Sequence, residues 1–413
     1  MRRILLRALA LAALLLALFG LCAADDAEVL ESGSWQYTLN ENGEAVTARY
    51  LGDETEVTVP ASLDGHPVAV IGQGTFGSVS FPQVDKTIRK ITLSEGIREI
   101  DDDSFFSCQA LEEVVLPESL TCIGKAPFQW CERLGRVNLP GSLTFIDDLA
   151  FYGTALREIS LPASLQGMGS NPFAHCGALT DIRVAPDHPV YETVDGVLFE
   201  KESRRLVCYP GGLDAARYEI PDGTPALGGD CFYGARFSTL VIPDSLTVIE
   251  GNPFQQCASL AAFDIPRSHP GLASRSGVLF TKDLSTLIAY PCARPNRSYT
   301  VPKQTRTIGR NAFSSVKTLE KVTITGGVEI ISDGAFNACR SVREVRMAEG
   351  VREIQSSAFV FCPSLSRMNL PASLEKIADQ AIGQTAAGFT AEVVKGSYAE
   401  EWCRGHGIRC AAE

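Results

Sequence analysis

The chain has 413 residues, 45% of them hydrophobic and 21% charged, with 37 Lys and Arg against 49 Asp and Glu for a net charge of −12. That is the composition of a folded protein, which excludes wholesale disorder. The acidic balance repels polyanions and so excludes general binding to nucleic acid or to an anionic membrane.

At the N-terminus Arg2, Arg3 and Arg7 precede an uncharged run from Ala8 to Leu21, and the small residues Cys22, Ala23 and Ala24 stand before Asp25. This layout predicts a secretory signal peptide over 1–24. The apolar run is shorter than the roughly 20 residues that a membrane-spanning helix needs. The remaining chain is therefore expected to be secreted or held at the cell surface. Residues 25–70 read as strands and turns forming an N-terminal capping segment.

A periodic phenylalanine governs the rest of the chain. The series Phe76, Phe105, Phe128, Phe151, Phe173, Phe232, Phe254, Phe313, Phe336, Phe359 and Ile382 has spacings of 29, 23, 23, 22, 59, 22, 59, 23, 23 and 23. Around each mark the text recurs as L-x-x-V-x-L-P-x-S-L-x-x-I-G-x-x-A-F-x-x-C, as in Val114, Leu116, Pro117, Ser119, Leu120, Ile123, Phe128 and Cys131. V-x-L alternates with period two, the signature of a short strand with one buried face, and Pro ends it by removing a backbone donor. S-L-x-x-I is read as the return of the chain, and the Phe supplies the interior of the far side. One such unit cannot bury its own apolar face, whereas stacked units share a core and a parallel ladder about 4.8 Å apart. The sequence predicts one β-rich solenoid over 71–391.

The two 59-residue gaps are copies of each other: His188-Pro189, Gly196-Val-Leu-Phe199 and Tyr209-Pro210 recur as His269-Pro270, Gly277-Val-Leu-Phe280 and Tyr290-Pro291. They read as inserted hairpin-like islands near 185–215 and 266–296, either packing extensions or protrusions for binding. Over 392–413, Ser397-Tyr-Ala-Glu400 is a capping box ahead of a short helix stopped by Gly405 or Gly407, which predicts a C-terminal cap.

These residues, with the L-P-x-S-L rhythm, the G-V-L-F islands and the S-Y-A-E cap, resemble the BspA-type, or Treponema-type, leucine-rich repeat surface proteins over 35–413. The resemblance implies a β-rich α/β leucine-rich-repeat solenoid with a parallel strand ladder and capped ends. It also implies export and adhesion to host matrix or to neighbouring cells.

Chemistry-bearing residues are sparse. Cys108, Cys131, Cys176, Cys257, Cys339 and Cys362 stand three residues after the periodic Phe, a slot filled elsewhere by Thr154, Ala235, Val316 and Thr385, and are expected to be free core thiols, since parallel Cβ vectors suit a disulfide poorly. Cys403 and Cys410 in the terminal cap are better placed for one. Gly72-x-Gly74-x-x-Gly77 fits a dinucleotide fingerprint, but these residues belong to the repeat, so no cofactor is expected. Asp101, Asp102 and Asp103 lack the ligand spacing of a calcium loop. His188 and His269 precede prolines and read as turn residues, with His175 a repeat position on the far side. No nucleophile and base occur in a hydrolase motif, so no catalytic or metal site is expected.

Binding is expected instead on the outward positions of the ladder, the concave face of such a solenoid: Glu113 and Val115, Arg136 and Asn138, Glu158 and Ser160, Asp181 and Arg183, Lys321 and Thr323, Glu344 and Arg346, Arg367 and Asn369. Their mixed charge suits a protein or glycoprotein surface. The function read from this is non-enzymatic recognition or adhesion, with no small-molecule cofactor and no nucleic-acid partner. The alternative is a structural spacer or envelope component without a specific ligand.

Overall fold

The computed structural model describes residues 28–77 and 87–412; the leader expected over 1–24 lies outside them. The V-x-L segments form a first parallel ladder. Glu56–Val59, Lys90–Leu93, Glu113–Val115 and Arg136–Val137 pair in order. Glu158–Leu161 pairs with Asp181–Val184, and Arg217–Glu219 with Thr239–Val241 and then Ala262–Asp264. The longest stretch runs from Ser298–Thr300 through Lys321–Ile324, Glu344–Met347, Arg367–Leu370 and Thr390–Val393 to Cys410–Ala412. Inward Val114 and Leu116 are buried while outward Glu113 and Val115 are partly exposed, as the two-residue period demands.

The S-L-x-x-I segments do more than return the chain. They form a second parallel ladder of two-residue strands, among them Glu99–Ile100, Cys122–Ile123, Phe145–Ile146 and Gly167–Met168. Two residues are too few to show an alternation in sequence. The consensus serine ties neighbouring turns together: Ser119 Oγ donates to Ile97 O at 2.8 Å, Ser142 Oγ to Leu120 O at 2.6 Å and Ser373 Oγ to Val351 O at 2.9 Å.

The periodic phenylalanines stack face to face through the interior. Ring centroids are 5.0 Å apart from Phe76 to Phe105, 4.8 Å to Phe128 and 5.3 Å to Phe151, and 4.9 Å from Phe336 to Phe359. The residue three places on lies beneath the stack. There each buried thiol donates to the carbonyl of an earlier periodic Phe: Cys131 Sγ to Phe105 O at 3.2 Å, Cys257 Sγ to Phe232 O at 3.0 Å, Cys339 Sγ to Phe313 O at 3.0 Å. All twelve cysteines among the described residues are free thiols, Cys403 and Cys410 included. Burial pushes Cys176 and Cys362 up to about 11, so these thiols stay protonated and unreactive.

The backbone on either side of the periodic residue is left-handed. Two places before it, Asp103, Ala126 and Leu149 have φ of 53°, 55° and 57°; two places after it, Ser107, Trp130, His175 and Phe361 have 61°, 63°, 62° and 57°. Glycine takes the later position as Gly153 and Gly234, and at Gly153 an added Cβ would stand 3.0 Å from the Trp130 ring.

The islands are hairpins with a buried middle strand. Tyr191–Val194 and Val197–Glu200 form a hairpin continued by Leu206–Cys208, which then joins the second ladder beside Ala226–Leu227. Leu272–Arg275, Val278–Thr281 and Thr286–Ala289 repeat this arrangement. Val197, Leu198 and Phe199, like Val278, Leu279 and Phe280, are wholly inside, so the middle strand of each hairpin belongs to the core, while the turns at Asp195 and Ser276 are exposed. Each 59-residue gap also conceals a periodic position: Tyr209 stands 36 residues after Phe173 and 23 before Phe232, and Tyr290 stands 36 after Phe254 and 23 before Phe313. Tyr209 N–H donates to Cys231 O and Tyr290 N–H to Ala312 O, as Phe313 N–H does to Ala335 O, and the Tyr290 ring stacks on Phe313 at 5.0 Å. The solenoid turn that carries each hairpin is closed over by clasps between the turns flanking it. Buried Asn171 Nδ2 donates to Asp230 O at 2.8 Å, Asn252 Nδ2 to Asn311 O at 2.7 Å, and Tyr152 Oη to Tyr233 Oη at 2.9 Å.

At the N-terminal end, Leu30–Ser32, Trp35–Leu39 and Ala45–Tyr50 form an antiparallel meander whose last strand pairs parallel with His66–Ile71. At the other end helix α1, Tyr398–Gly405, is capped by Ser397, whose side chain accepts from Glu400 N–H, and lays Ala399, Trp402 and Cys403 on the last core layer.

A candidate recognition face on the first ladder

The outward residues of the first ladder are brought together in rows, and they pair with one another. Glu113 bridges Lys90 Nζ at 2.9 Å and Arg136 Nη2 at 2.7 Å; Arg183 takes Glu158 at 2.5 Å and Asp181 at 2.7 Å. Farther along, Glu344 bridges Lys321 at 3.0 Å and Arg346 at 2.6 Å, and Arg346 reaches Glu392 at 2.5 Å. Parallel register sets the Lys90–Glu113, Glu113–Arg136 and Lys321–Glu344 contacts by placing one position of a turn beside the same position of the next, whereas Asp181–Arg183 and Glu344–Arg346 are two residues apart on one strand. Hydrogen bonds from Lys90 and Arg136 hold the Glu113 carboxyl below its usual range, and those from Arg346 and Lys321 do the same for Glu344. Such exposed pairs are worth about 0–1 kcal/mol each. Their effect is to fix a patterned, nearly neutral surface.

The remaining predicted positions divide. Val115 and Thr323 are partly exposed between charged neighbours, and Ser160 and Arg367 are exposed, Arg367 without an ion pair among the described residues. Asn369 is engaged: its Nδ2 donates to Met347 O at 2.6 Å and its Oδ1 accepts from Met347 N–H at 2.7 Å. Asn138, at the same place in its own turn, is exposed. Two grooves open on this face. One of about 610 Å³ lies along Thr323, Arg346, Asn369 and Glu392; one of about 400 Å³ lies between Arg136–Leu139 and Glu158–Ser160. Lys303, Glu349 and Glu392, which help to line the first, were not among the sequence candidates; Glu392 could have been found by extending the repeat to the Thr390–Val393 strand.

Elsewhere most polar groups that the sequence singles out are held by the fold, while buried His269 Nε2 has no partner among the described residues. His188 Nδ1 accepts from Val190 and Tyr191 N–H, both at 3.1 Å, and its Nε2 lies 3.0 Å from Pro162 O, so the imidazole shapes the entry to the hairpin. His269 Nδ1 accepts from Gly271 and Leu272 N–H in the same way. Gly72 N–H is given to Thr47, and an added Cβ at Gly77 would stand 2.0 Å from Phe106 O, leaving no phosphate cradle. Asp102 accepts from Lys125 N–H at 2.7 Å, and burial, with Glu99 and Asp102 nearby, pushes Asp101 up to about 6. Among the described residues no group of three or more His, Cys, Asp or Glu is placed to hold a metal, and no helix is long and apolar enough to cross a membrane.

Comparison with known proteins returns one family, described as the BspA type leucine rich repeat region, in 6 copies over residues 74–193, 214–277 and 290–388. No curated protein sequence matches. Similar solved structures include a leucine rich cell surface protein from Faecalibacterium prausnitzii, 21% identical with a TM-score of 0.46, covering 92% of this chain and 98% of that one. A leucine-rich repeat protein from Bacteroides ovatus is 20% identical with a TM-score of 0.38, covering 89% and 100%. The pneumococcal vaccine antigen PcpA is 15% identical with a TM-score of 0.37, covering 94% and 99%.

Proposed function

The chain belongs to the BspA-type leucine-rich repeat family, and from that premise we propose that it is an exported, non-enzymatic recognition protein. It holds a protein or glycoprotein surface, of host matrix or of a neighbouring cell, on the outward face of its first ladder. Proteins of this family are typically found at the cell surface and act through interactions rather than catalysis. The observation that carries the reading is the pair of grooves flanked by register-locked charge rows on a face the core does not need. Fixed charges lose little entropy on binding and set specificity and encounter rate.

The test is label-free binding of the purified chain to immobilised fibronectin, fibrinogen, mucin and bacterial wall glycan, beside the fourfold variant Glu113→Lys, Arg136→Glu, Glu158→Lys, Arg183→Glu. Both members of the Glu113–Arg136 and Glu158–Arg183 pairs are reversed together, and the like charges left beside Lys90 and Asp181 are at the surface and cost little, so the fold is expected to persist. Saturable binding of the parent to one surface, lost in the folded variant, is the expected result. Two folded proteins that bind none of the four surfaces would return the chain to the structural-spacer reading.

A further inference from the structure

We propose that the first ladder carries a slot for an extended polypeptide segment between Arg136–Leu139 and Glu158–Leu161, where a partner's backbone completes the sheet. This rests on the recognition reading above and names its ligand class and its place.

The first ladder is interrupted three times, after Val137, Val184 and Asp264. At the third break the chain's own second hairpin enters: Phe263 N–H donates to Gly277 O at 3.0 Å and Ser274 Oγ to Phe263 O at 2.6 Å. At the second, Tyr191–Val194 of the first hairpin packs against Asp181–Val184. At the first break no hairpin enters among the described residues, and the groove of about 400 Å³ lies there instead.

Its rims are built to receive a strand. Gly135 and Arg136 N–H both donate to Glu112 O on the inner side, so alternation turns the Gly135 carbonyl and the backbone groups of Val137 and Leu139 toward the slot. Thr180 N–H donates to Arg157 O on the far side, so alternation turns those of Glu158 and Ser160 toward it from the other rim. Among the described residues no backbone hydrogen bond joins Gly135 O or Leu139 N–H to this facing strand; the two turns are joined just ahead of it, where Ala155 N–H donates to Leu134 O at 3.0 Å. Val137 and Leu139 point inward yet stay partly exposed, whereas Val114 and Leu116 on one side and Ile159 and Leu161 on the other are buried. Asn138 stands beside the slot with its amide unengaged among the described residues, and Asn369 shows what that side chain does when a backbone lies in reach: it grips the N–H and C=O of one residue.

Two local features open the slot. Arg136 to Glu158 spans 22 residues where 23 is usual, and Gly135 supplies no side chain ahead of the strand. The short spacing is not sufficient, because Arg217 and Thr239 are also 22 apart and remain paired. Two rims with unpaired, alternating N–H and C=O groups select an extended polypeptide over a glycan, since another strand satisfies such groups in register. Partly exposed Val137 and Leu139 favour apolar side chains at alternate positions of that segment.

The probe is a phage-displayed random dodecapeptide library panned on the full chain, with enriched sequences remeasured as synthetic peptides and a glycan array run in parallel. Saturable peptides with alternating apolar residues are expected. Ser160→Pro removes a slot-facing N–H while leaving the bonds to Asp181–Val184, and should weaken binding at least tenfold; Asn138→Ala should weaken it several-fold. Glu375→Ala, beside the second ladder, should change nothing. Should Ser160→Pro fail to fold, as read by thermal melting, Asn138→Ala decides, since that side chain supports nothing. No saturable peptide, or peptides indifferent to both substitutions, overturns the slot. A ligand whose binding depends on Arg346 and Glu392 instead would overturn the slot and leave the recognition reading standing.

Discussion

Arg136-Val137-Asn138-Leu139-Pro140 and Arg367-Met368-Asn369-Leu370-Pro371 carry the same five-residue pattern at the same place in the repeat and end differently. The second lies in an unbroken sheet, paired on one side with Glu344–Met347 and on the other with Thr390–Val393, its asparagine folded into the ladder. The first is paired on one side only, and its asparagine is idle. Local sequence therefore sets which side chains face in and which face out. Whether the ladder closes depends on the neighbouring turn, on its length and on the residue entering the strand.

The largest expected effect asks whether the opening reaches the core. Phe151→Ala, behind the slot, and Phe359→Ala, in the continuous arc, should each cost about 3–5 kcal/mol through the cavity left in the ring stack, measured by urea unfolding. Equal costs would confine the opening to the sheet face, whereas a much smaller cost at Phe151 would mean that the core behind the slot is loose. Next comes the asparagine pair. Asn369→Ala leaves the Met347 N–H and C=O without their side-chain partner and should cost about 1–3 kcal/mol, while Asn138→Ala should change stability by less than about 0.5 kcal/mol.

Titration provides a smaller contrast. Asp101 is pushed up to about 6 by burial and by its acidic neighbours. Its protonated form is the one the fold favours, so its contribution is favourable below the ordinary aspartate range and is lost as pH rises through about 6. Asp101→Asn should therefore raise stability by about 1 kcal/mol at pH 7.5, after allowance for solvent screening, and by nothing at pH 3; melting at both pH values checks this. Glu113 and Glu344 run the other way. Their depressed carboxyls contribute above the ordinary glutamate range and lose that contribution as pH falls through the folded value. Glu344→Gln and Glu113→Gln should each cost under about 1 kcal/mol at pH 7, less in high salt, and nothing below pH 3.

Much of the fold was legible because phenylalanine at a fixed spacing has one physical explanation, a stack of identical turns. Tyr209 and Tyr290 escaped the series because they stand 36 residues after the preceding Phe, although each lies 23 before the next and is followed by Pro. The left-handed flanks escaped for a different reason: Trp130, Leu149 and Phe361 are not residues that favour positive φ, and stacking imposes it on them. For the recognition face, alternation gave the outward positions, while their mutual ion pairs required the register. Asn138 and Asn369 are indistinguishable in sequence, since what separates them is the next turn of the solenoid.

The most direct measurement is residue-resolved amide hydrogen exchange of the free chain along the first ladder. Leu139, Glu158 and Ser160 are predicted to exchange fast, at rates near those of surface turns, while Val345, Met368 and Ala391 in the continuous arc are strongly protected. Equal protection of both sets would show a closed ladder throughout and would contradict the contrast between the open slot and the unbroken sheet.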